Sequence, residues 1–196
     1  MPSAVILLAD GTEEMEFTIA YDTLVRAGVK CCSAFVPDAA DAAPQRPYAM
    51  GSRGIRIMYD ALLEAKAMGP AAYDALIVPG GAKGAETISQ NAGVQALVCE
   101  FLEQGKIVGM ICAGGLTALT SKLPRQPLTS HPSVKTQLEN DFDYSEDPVI
   151  ISGGLITSRG PGTAFPFALT LVELLCGREK REEVRGPMIF PKNTPF

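Results

Sequence analysis

One cysteine in this chain stands where a nucleophile could be presented to a substrate. Cys112 ends the apolar stretch 106–111 and is followed by Ala-Gly-Gly. A sharp strand-to-helix turn needs small neighbours and points its central side chain outward. The helix N-terminus behind such a turn lowers the pKa of a thiol and offers backbone N–H groups to an anion. Taken alone, the segment fits a nucleophile and a buried core thiol equally well.

A glycine turn follows another apolar strand. Gly80 and Gly81 come after the run 76–78, and an N–H from this turn together with that of Ala113 would form an oxyanion hole. A plain tight turn is the alternative. The sequence has no Gly-Lys-Ser/Thr and no G-x-G-x-x-G, so nucleotide binding has little support.

The titratable partners of such a thiol are few. His131 is the only histidine, so a mechanism that needs an imidazole must use it, although loop histidines are commonly just surface residues. Glu13, Glu14 and Glu16 follow the first strand, where carboxylates suit the helix dipole. Glu16 has a further role if it faces Cys112, because a carboxyl and a thiol in contact cannot easily both ionise and titrate jointly.

The composition is that of an ordinary globular protein, and we expect one domain over residues 1–196. The chain is 46% hydrophobic and 20% charged, with a net charge of -5. An acidic chain without clustered Lys and Arg is not expected to bind nucleic acid. We find no membrane-length apolar stretch and no signal peptide, and an odd number of cysteines, five, favours free thiols in the cytoplasm. One histidine and no C-x-x-C exclude a standard Cys/His zinc site, and we expect no cofactor.

Apolar strands alternate with amphipathic helices along the chain. This pattern predicts an α/β fold, with a mostly parallel central sheet and helices on both faces, and a site beyond the carboxyl ends of the strands. The predicted strands are 4–9, 29–36, 54–60, 76–78, 106–111, 149–151 and 155–158. The predicted helices include residues 17–24, 62–68, 94–102, 113–122, 134–140, 165–176 and 178–185. The segment 37–47 is predicted to be an exposed loop.

Six motifs, in this order, resemble the ThiJ/PfpI superfamily and its DJ-one branch in particular. They are GTEEMEF, LVRAGVK, VPGGAKGAE, ICAG, SHP and LITSRGPGTAF, and they span nearly the whole chain. The resemblance implies a flavodoxin-like sandwich, usually a homodimer.

The resemblance also implies roles for individual residues. Cys112 would be the reactive cysteine, Glu16 its protonated acidic partner, and His131 the third residue of the site. Gly81 and Ala113 would supply the oxyanion-hole N–H groups. The residues implied to line the pocket or, across the dimer interface, to hold an anion are Gly80, Arg26, Arg53, Gly160 and Pro161.

Some positions depart from the family pattern. Ala82 stands in place of an asparagine and Ser130 in place of a threonine, and the segment 37–50 is longer, which affects substrate preference rather than chemistry. The protease branches have a histidine directly after the cysteine, where this chain has Ala113. Class I glutaminases use His-x-Glu, whereas His131 is followed by Pro-Ser. Both differences count against peptide or glutamine hydrolysis.

Three functional hypotheses follow. The first is a cofactor-free glyoxalase or deglycase, in which Cys112 adds to a small α-oxoaldehyde such as methylglyoxal or to its protein adduct and a hydroxy acid is released. The second is an oxidative-stress sensor or redox-regulated chaperone that acts through oxidation of Cys112 to sulfinic acid. The third is a binding or structural domain with an inert thiol.

Overall fold

The structure is a computed structural model that describes residues 1–38 and 46–196. Its strands are β1 (Ser3–Leu8), β2 (Lys30–Phe35), β3 (Tyr48–Met50), β4 (Arg56–Met58), β5 (Ala61–Leu62), β6 (Ala75–Val78), β7 (Ile107–Ile111), β8 (Pro127–Leu128), β9 (Asp143–Tyr144), β10 (Val149–Ser152) and β11 (Leu155–Ser158). Its α-helices are α1 (Glu14–Arg26), α2 (Ala82–Gln90), α3 (Ala92–Glu103), α4 (Leu116–Thr120), α5 (Lys135–Leu138), α6 (Ala164–Cys176) and α7 (Arg178–Arg185). Short 3₁₀ turns occupy Cys112–Gly115, Pro132–Val134, Pro161–Thr163 and Gly186–Met188.

The central sheet has the strand order β10-β11-β7-β6-β1-β2-β5. Every neighbouring pair in it is parallel except β10 with β11. The chain winds outward from β1 in one direction through β2 and in the other through β6, β7 and β11. In such a doubly wound sheet the crevice lies at the carboxyl ends of the strands on either side of that reversal. The carboxyl ends of β1, β6 and β7 therefore define where a site should be sought.

Both faces of the sheet are covered, which explains the unbroken apolar strands. Residues 4–9 are fully buried. Val5 and Leu7 face a core shared with Phe101 of α3, whereas Ile6 and Leu8 face a second core shared with α1 and α6. Strands buried on both sides lose the polar alternation of a half-exposed sheet. The predicted α/β fold with helices on both faces of a mostly parallel sheet is confirmed.

Several predicted elements differ from the structure. The predicted helix 62–68 is wrong: Leu62 pairs with Phe35 as the edge strand β5, and turns follow it. Only a short apolar stretch precedes Gly69-Pro70, too little for a helical face. The predicted strand 54–60 is confined to β4, which forms a hairpin with β3. Helix α2 begins directly after the glycine turn and was not expected from the sequence. Residues 39–45 of the predicted loop lie outside the described residues.

No helix in the described ranges combines the length and the apolar character needed to cross a membrane.

Candidate active site

Cys112 lies on a strained turn at the carboxyl end of β7. Its φ is 61°, in the left-handed region that residues other than glycine rarely adopt. A Cβ on Gly114 would come within 2.6 Å of the Val78 carbonyl oxygen, and one on Gly115 within 3.2 Å of the Ser130 Cβ. The small residues after the cysteine thus let the turn pack closely against β6 and the loop before His131. This is the geometry of a nucleophile elbow.

Glu16 reaches the same point from the first turn of α1. Its side chain is fully buried beside Cys112, and its Oε2 accepts the Gly80 N–H at 2.7 Å. Its Oε1 has no hydrogen-bond partner among the described residues. A Cβ on Gly80 would lie 2.5 Å from the Cys112 Cβ and 2.6 Å from Glu16 Oε2. The contact between carboxyl and thiol therefore requires glycine at position 80.

The two acids perturb each other. Burial raises the pKa of Glu16 to about 7, against the lowering effect of the hydrogen bonds from Cys112 and the Gly80 N–H. Burial also raises the pKa of Cys112, and the charge of Glu16 raises it further. The Cys112–Glu16 pair therefore loses its first proton near pH 7 and keeps its second proton over a wide pH range above that. Both steps belong to the pair rather than to either residue alone.

Two backbone groups oppose that effect on the thiol. The N–H groups of Ala113 and Gly81 hydrogen-bond to the Cys112 side chain and lower its pKa. Gly81 adopts φ 87°, and a Cβ there would collide with the Gly11 carbonyl oxygen. Glycine is thus needed both for the backbone conformation and for the close approach of the β1 loop. The two N–H groups converge on the place where negative charge on sulfur, or on an oxygen bound next to it, would develop.

His131 and the loop after β11 form the other side of the crevice. The His131 backbone N–H donates to the Cys112 carbonyl oxygen at 3.4 Å. The position that a Cβ would take on Gly160 is 3.5 Å from His131 Cδ2 and 4.0 Å from Glu16 Oε1. Thr163 Oγ1 shapes this loop by accepting the N–H groups of Arg159 and Gly160, and Pro161 begins the 3₁₀ turn that follows. The missing side chain at position 160 leaves open the space between the imidazole and the buried carboxyl.

The two arginines are not brought together within one chain. The Arg53 N–H donates to Glu14 Oε1 at 2.6 Å, at the start of α1, and its side chain is exposed. Arg26 lies at the other end of α1, exposed and ion-paired with Asp22 at 2.6 Å. A rise of 1.5 Å per residue separates the two helix ends by roughly 18 Å. A shared anion would need Arg26 from a second copy.

Glu14 is a structural residue that sequence reasoning missed. It is buried and accepts hydrogen bonds from Ser52 Oγ and from the N–H groups of Arg53 and Ile55. Burial raises its pKa, but these bonds and its own N–H outweigh burial and leave the pKa lowered. The carboxylate holds the β3–β4 turn against α1. No local signal in the sequence separates it from Glu16, since the turn it binds is distant along the chain.

No three His, Cys, Asp or Glu side chains of residues 1–38 and 46–196 form a group that could hold a metal ion. A doubly wound sheet with a strained cysteine at a nucleophile elbow, in contact with a buried carboxyl, defines a class of α/β proteins with a thiol-based site. Residues 2–174 match the model of the DJ-1/PfpI family, and the chain belongs to this family.

Its relatives include proteins with a named activity. The chain is 37% identical to the "Glutathione-independent glyoxalase DJ-1" of Schizosaccharomyces pombe, over 97% of this chain and all of that one. It is 34% identical to the "Glutathione-independent glyoxalase DJR-1.2" of Caenorhabditis elegans, over 97% of each. The solved structure of the Schizosaccharomyces pombe protein superposes with a TM-score of 0.89 at 36% identity, over 96% of this chain and all of the other.

Proposed function

We propose that this protein is a glutathione-independent glyoxalase that converts methylglyoxal-type α-oxoaldehydes into hydroxy acids, with Cys112 as the nucleophile. The proposal is supported by relatives that carry this activity in their names and are similar over nearly the full length. The observation that carries it is the contact of Cys112 with the buried Glu16, beside two converging N–H groups. This arrangement gives one site a sulfur nucleophile, a proton carrier and a charge-stabilising pair of donors.

The single proton of the Cys112–Glu16 pair is sufficient for the first step. Glu16 takes the proton of the thiol, the sulfur forms a bond to the aldehyde carbon, and the carbonyl electron pair moves onto oxygen, which then takes that proton from Glu16. The product is a neutral hemithioacetal, and the carboxyl is left ionised. The N–H groups of Gly81 and Ala113 stabilise the negative charge on that oxygen before the proton arrives.

The ionised Glu16 then completes a redox-neutral rearrangement. It takes the hydrogen from the thiol-bearing carbon and returns a proton to the neighbouring carbon, so the hemithioacetal becomes a hydroxyacyl thioester. Water cleaves the thioester, which releases the hydroxy acid and restores the Cys112 thiol. Each step is proton transfer or addition, and the atoms of one aldehyde and one water account for the acid.

The same first step would serve a protein deglycase. A glycated side chain carries the aldehyde as a hemithioacetal or aminocarbinol, and this adduct first releases its thiol or amine as the carbonyl re-forms. Cys112 then adds to the same aldehyde carbon. The chain continues from Gly160 in the crevice to the half-buried Pro161 and the exposed Gly162. We propose adducts on protein side chains as a second form of the substrate.

Formation of lactate from methylglyoxal without glutathione tests the proposal. The purified protein should produce lactate at a rate proportional to enzyme concentration, and Cys112→Ser should abolish it because serine is a far weaker nucleophile near neutral pH. The control is Cys99→Ser, since that thiol donates to Ser121 O on the α3–α4 side. Turnover retained in Cys112→Ser would refute cysteine chemistry.

We further propose that the protein is a cytoplasmic homodimer. Met15 and Ile55 are 52% and 57% exposed, and the Ile55 N–H donates to Glu14, the residue before Met15 on α1. Exposed apolar side chains at the start of α1 and in the turn of Arg53 favour burial against a second copy. Such an interface is the arrangement that could bring the partner's Arg26 to Arg53.

A second function is favoured by one relative. A structure of "Toxoplasma gondii DJ-1, oxidized" superposes with a TM-score of 0.84 at 27% identity, over 97% of this chain and 99% of that one. We propose that two equivalents of peroxide oxidise Cys112 to a sulfinate and are reduced to two waters, with the protonated Glu16 as the hydrogen-bond donor to the sulfinate, in a sensor or redox-regulated chaperone. Intact-mass analysis after mild peroxide should place both oxygens on Cys112, and oxidation spread over all five thiols would argue against it.

A further inference from the structure

The imidazole of His131 has one ring nitrogen already engaged by its neighbour. Nδ1 accepts the Ser133 backbone N–H at 3.2 Å and lies 2.8 Å from Ser133 Oγ. A backbone N–H can only donate, so Nδ1 must present its lone pair and cannot carry hydrogen itself. A neutral imidazole has one N–H, which therefore sits on Nε2.

The opposite edge of the ring faces the crevice. Cδ2, which is bonded to Nε2, is 3.5 Å from the position of a Cβ on Gly160, and Glu16 Oε1 is 4.0 Å from that same position. Oε1 is buried and has no hydrogen-bond partner within the described parts of the chain. The space above Gly160 is thus bordered by a donor edge on one side and a free carboxylate oxygen on the other. This arrangement suits a substrate oxygen and a neighbouring C–H group.

We propose that Ser133 is a positioning residue that fixes the tautomer of His131, so that neutral His131 donates a hydrogen bond to the substrate and Glu16 alone moves the carbon-bound proton. The tautomer stands on the geometry alone, and its catalytic consequence rests on the proposed glyoxalase function. The proposal thus assigns proton transfer to Glu16 and hydrogen-bond donation to His131, two roles that the residue types alone do not distinguish.

With these roles, every proton and electron pair of the rearrangement is accounted for. As Glu16 takes the hydrogen from the thiol-bearing carbon, the electron pair moves to the adjacent carbonyl oxygen, and the Nε2–H stabilises the charge that develops there. Glu16 then protonates the second carbon. The hydroxyl proton of the first carbon passes to the second oxygen as the thioester carbonyl forms. His131 starts and ends with its proton on Nε2.

The ring nitrogens can be observed directly, because the chain has one histidine. Long-range ¹H–¹⁵N correlation spectra of the uniformly ¹⁵N-labelled full chain at pH 8 should show a protonated Nε2 and an unprotonated Nδ1, as a single tautomer. A protonated Nδ1, or a mixture of the two tautomers, would overturn the proposal whatever the activity of the protein.

Three variants test the contribution of Ser133. Ser133→Ala removes the nearer donor, the hydroxyl at 2.8 Å, and leaves only the backbone N–H at 3.2 Å on Nδ1. We therefore expect a weaker preference for the Nε2–H tautomer and a kcat for lactate formation lowered roughly two- to tenfold with unchanged KM, the range of one neutral hydrogen bond. Ser133→Thr keeps the hydroxyl and should restore both readouts. Ser145→Ala is the matched control, since this half-buried serine donates to Asp147 at 2.8 Å in a local turn of the same kind.

The outcomes separate this inference from the proposed function. The rate of Cys112 alkylation should be unchanged in Ser133→Ala, because Glu16 and the oxyanion N–H groups are untouched. A wild-type tautomer ratio together with a wild-type kcat in Ser133→Ala would refute the positioning role. A wild-type protein with the Nε2–H tautomer and no lactate formation would refute the glyoxalase function and leave the tautomer assignment intact.

Discussion

Glu16→Gln should stabilise the fold while it removes activity. The structure keeps this carboxyl fully buried, and its pKa rises from 4.5 to about 7. A shift of about 2.5 units at 1.36 kcal/mol per unit makes the ionised side chain cost roughly 3 kcal/mol of folding free energy above pH 7. Glutamine has the same size and can still accept the Gly80 N–H, so the substitution removes mainly the charge.

The pH dependence gives the sign of the effect. Between pH 4.5 and about 7 the folded protein holds a proton at Glu16 that the unfolded chain has lost, so the free energy of unfolding falls as pH rises. Glu16→Gln should therefore be more stable than the wild type by up to about 3 kcal/mol at pH 8, and the difference should vanish near pH 4.5. Urea unfolding at fixed protein concentration, from pH 4.5 to 8, measures it.

Glu14→Gln is the matched control because it is the same substitution two residues away on α1. The pKa of Glu14 is lowered, since hydrogen bonds from the β3–β4 turn outweigh burial. Its carboxylate stabilises the fold above pH 4.5, and this contribution is lost as pH falls through the folded pKa. Glu14→Gln should therefore destabilise at pH 8. The reasoning fails if Glu16→Gln gives no gain at pH 8, or if its gain persists undiminished at pH 4.5.

Three further predictions concern the site and the assembly. The rate of Cys112 alkylation by iodoacetamide should rise as pH passes through about 7, where the pair loses its first proton, and a rate that climbs steadily to pH 9 would contradict joint titration. Gly80→Ala should lower kcat/KM roughly 100-fold because its Cβ displaces the thiol from the carboxyl. Gly186→Ala, away from the site and with no described atom within 4 Å of the new Cβ, should leave the steady-state rate unchanged. Ile55→Asp should give a monomer in sedimentation velocity. The control Ile189→Asp should stay dimeric, because Ile189 is 83% exposed and its left-handed backbone conformation is one that Asp tolerates. A dimeric Ile55→Asp would place the interface elsewhere.

Local sequence patterns were enough for the central strands β1, β6 and β7 and for the turns at their carboxyl ends. The run 4–9 predicts a strand buried on both faces because no polar residue interrupts it, and residues 4–9 are fully buried. Gly80, Gly81 and the small residues after Cys112 predict sharp turns because only small side chains allow such close approach. Edge elements were harder: β5 is a strand because Phe35 pairs with Leu62, and that pairing has no local signature.

The tertiary structure decided which of the chemical groups meet. Three glutamates open α1, and the helix dipole suits each of them equally, so their types and spacing do not assign a role. The packing of α1 on the sheet turns Glu16 to a glycine 64 residues further along the chain and turns Glu14 to the β3–β4 turn. Glu16 is thereby left buried with one oxygen that has no hydrogen-bond partner among residues 1–38 and 46–196, whereas Glu14 accepts several hydrogen bonds. The sequence determined that a thiol and a carboxyl were available at the edge of this sheet. Only the rotation of the helix against the strands decided which carboxyl would share its proton with Cys112, because that contact depends on distant backbone atoms rather than on neighbouring residue types.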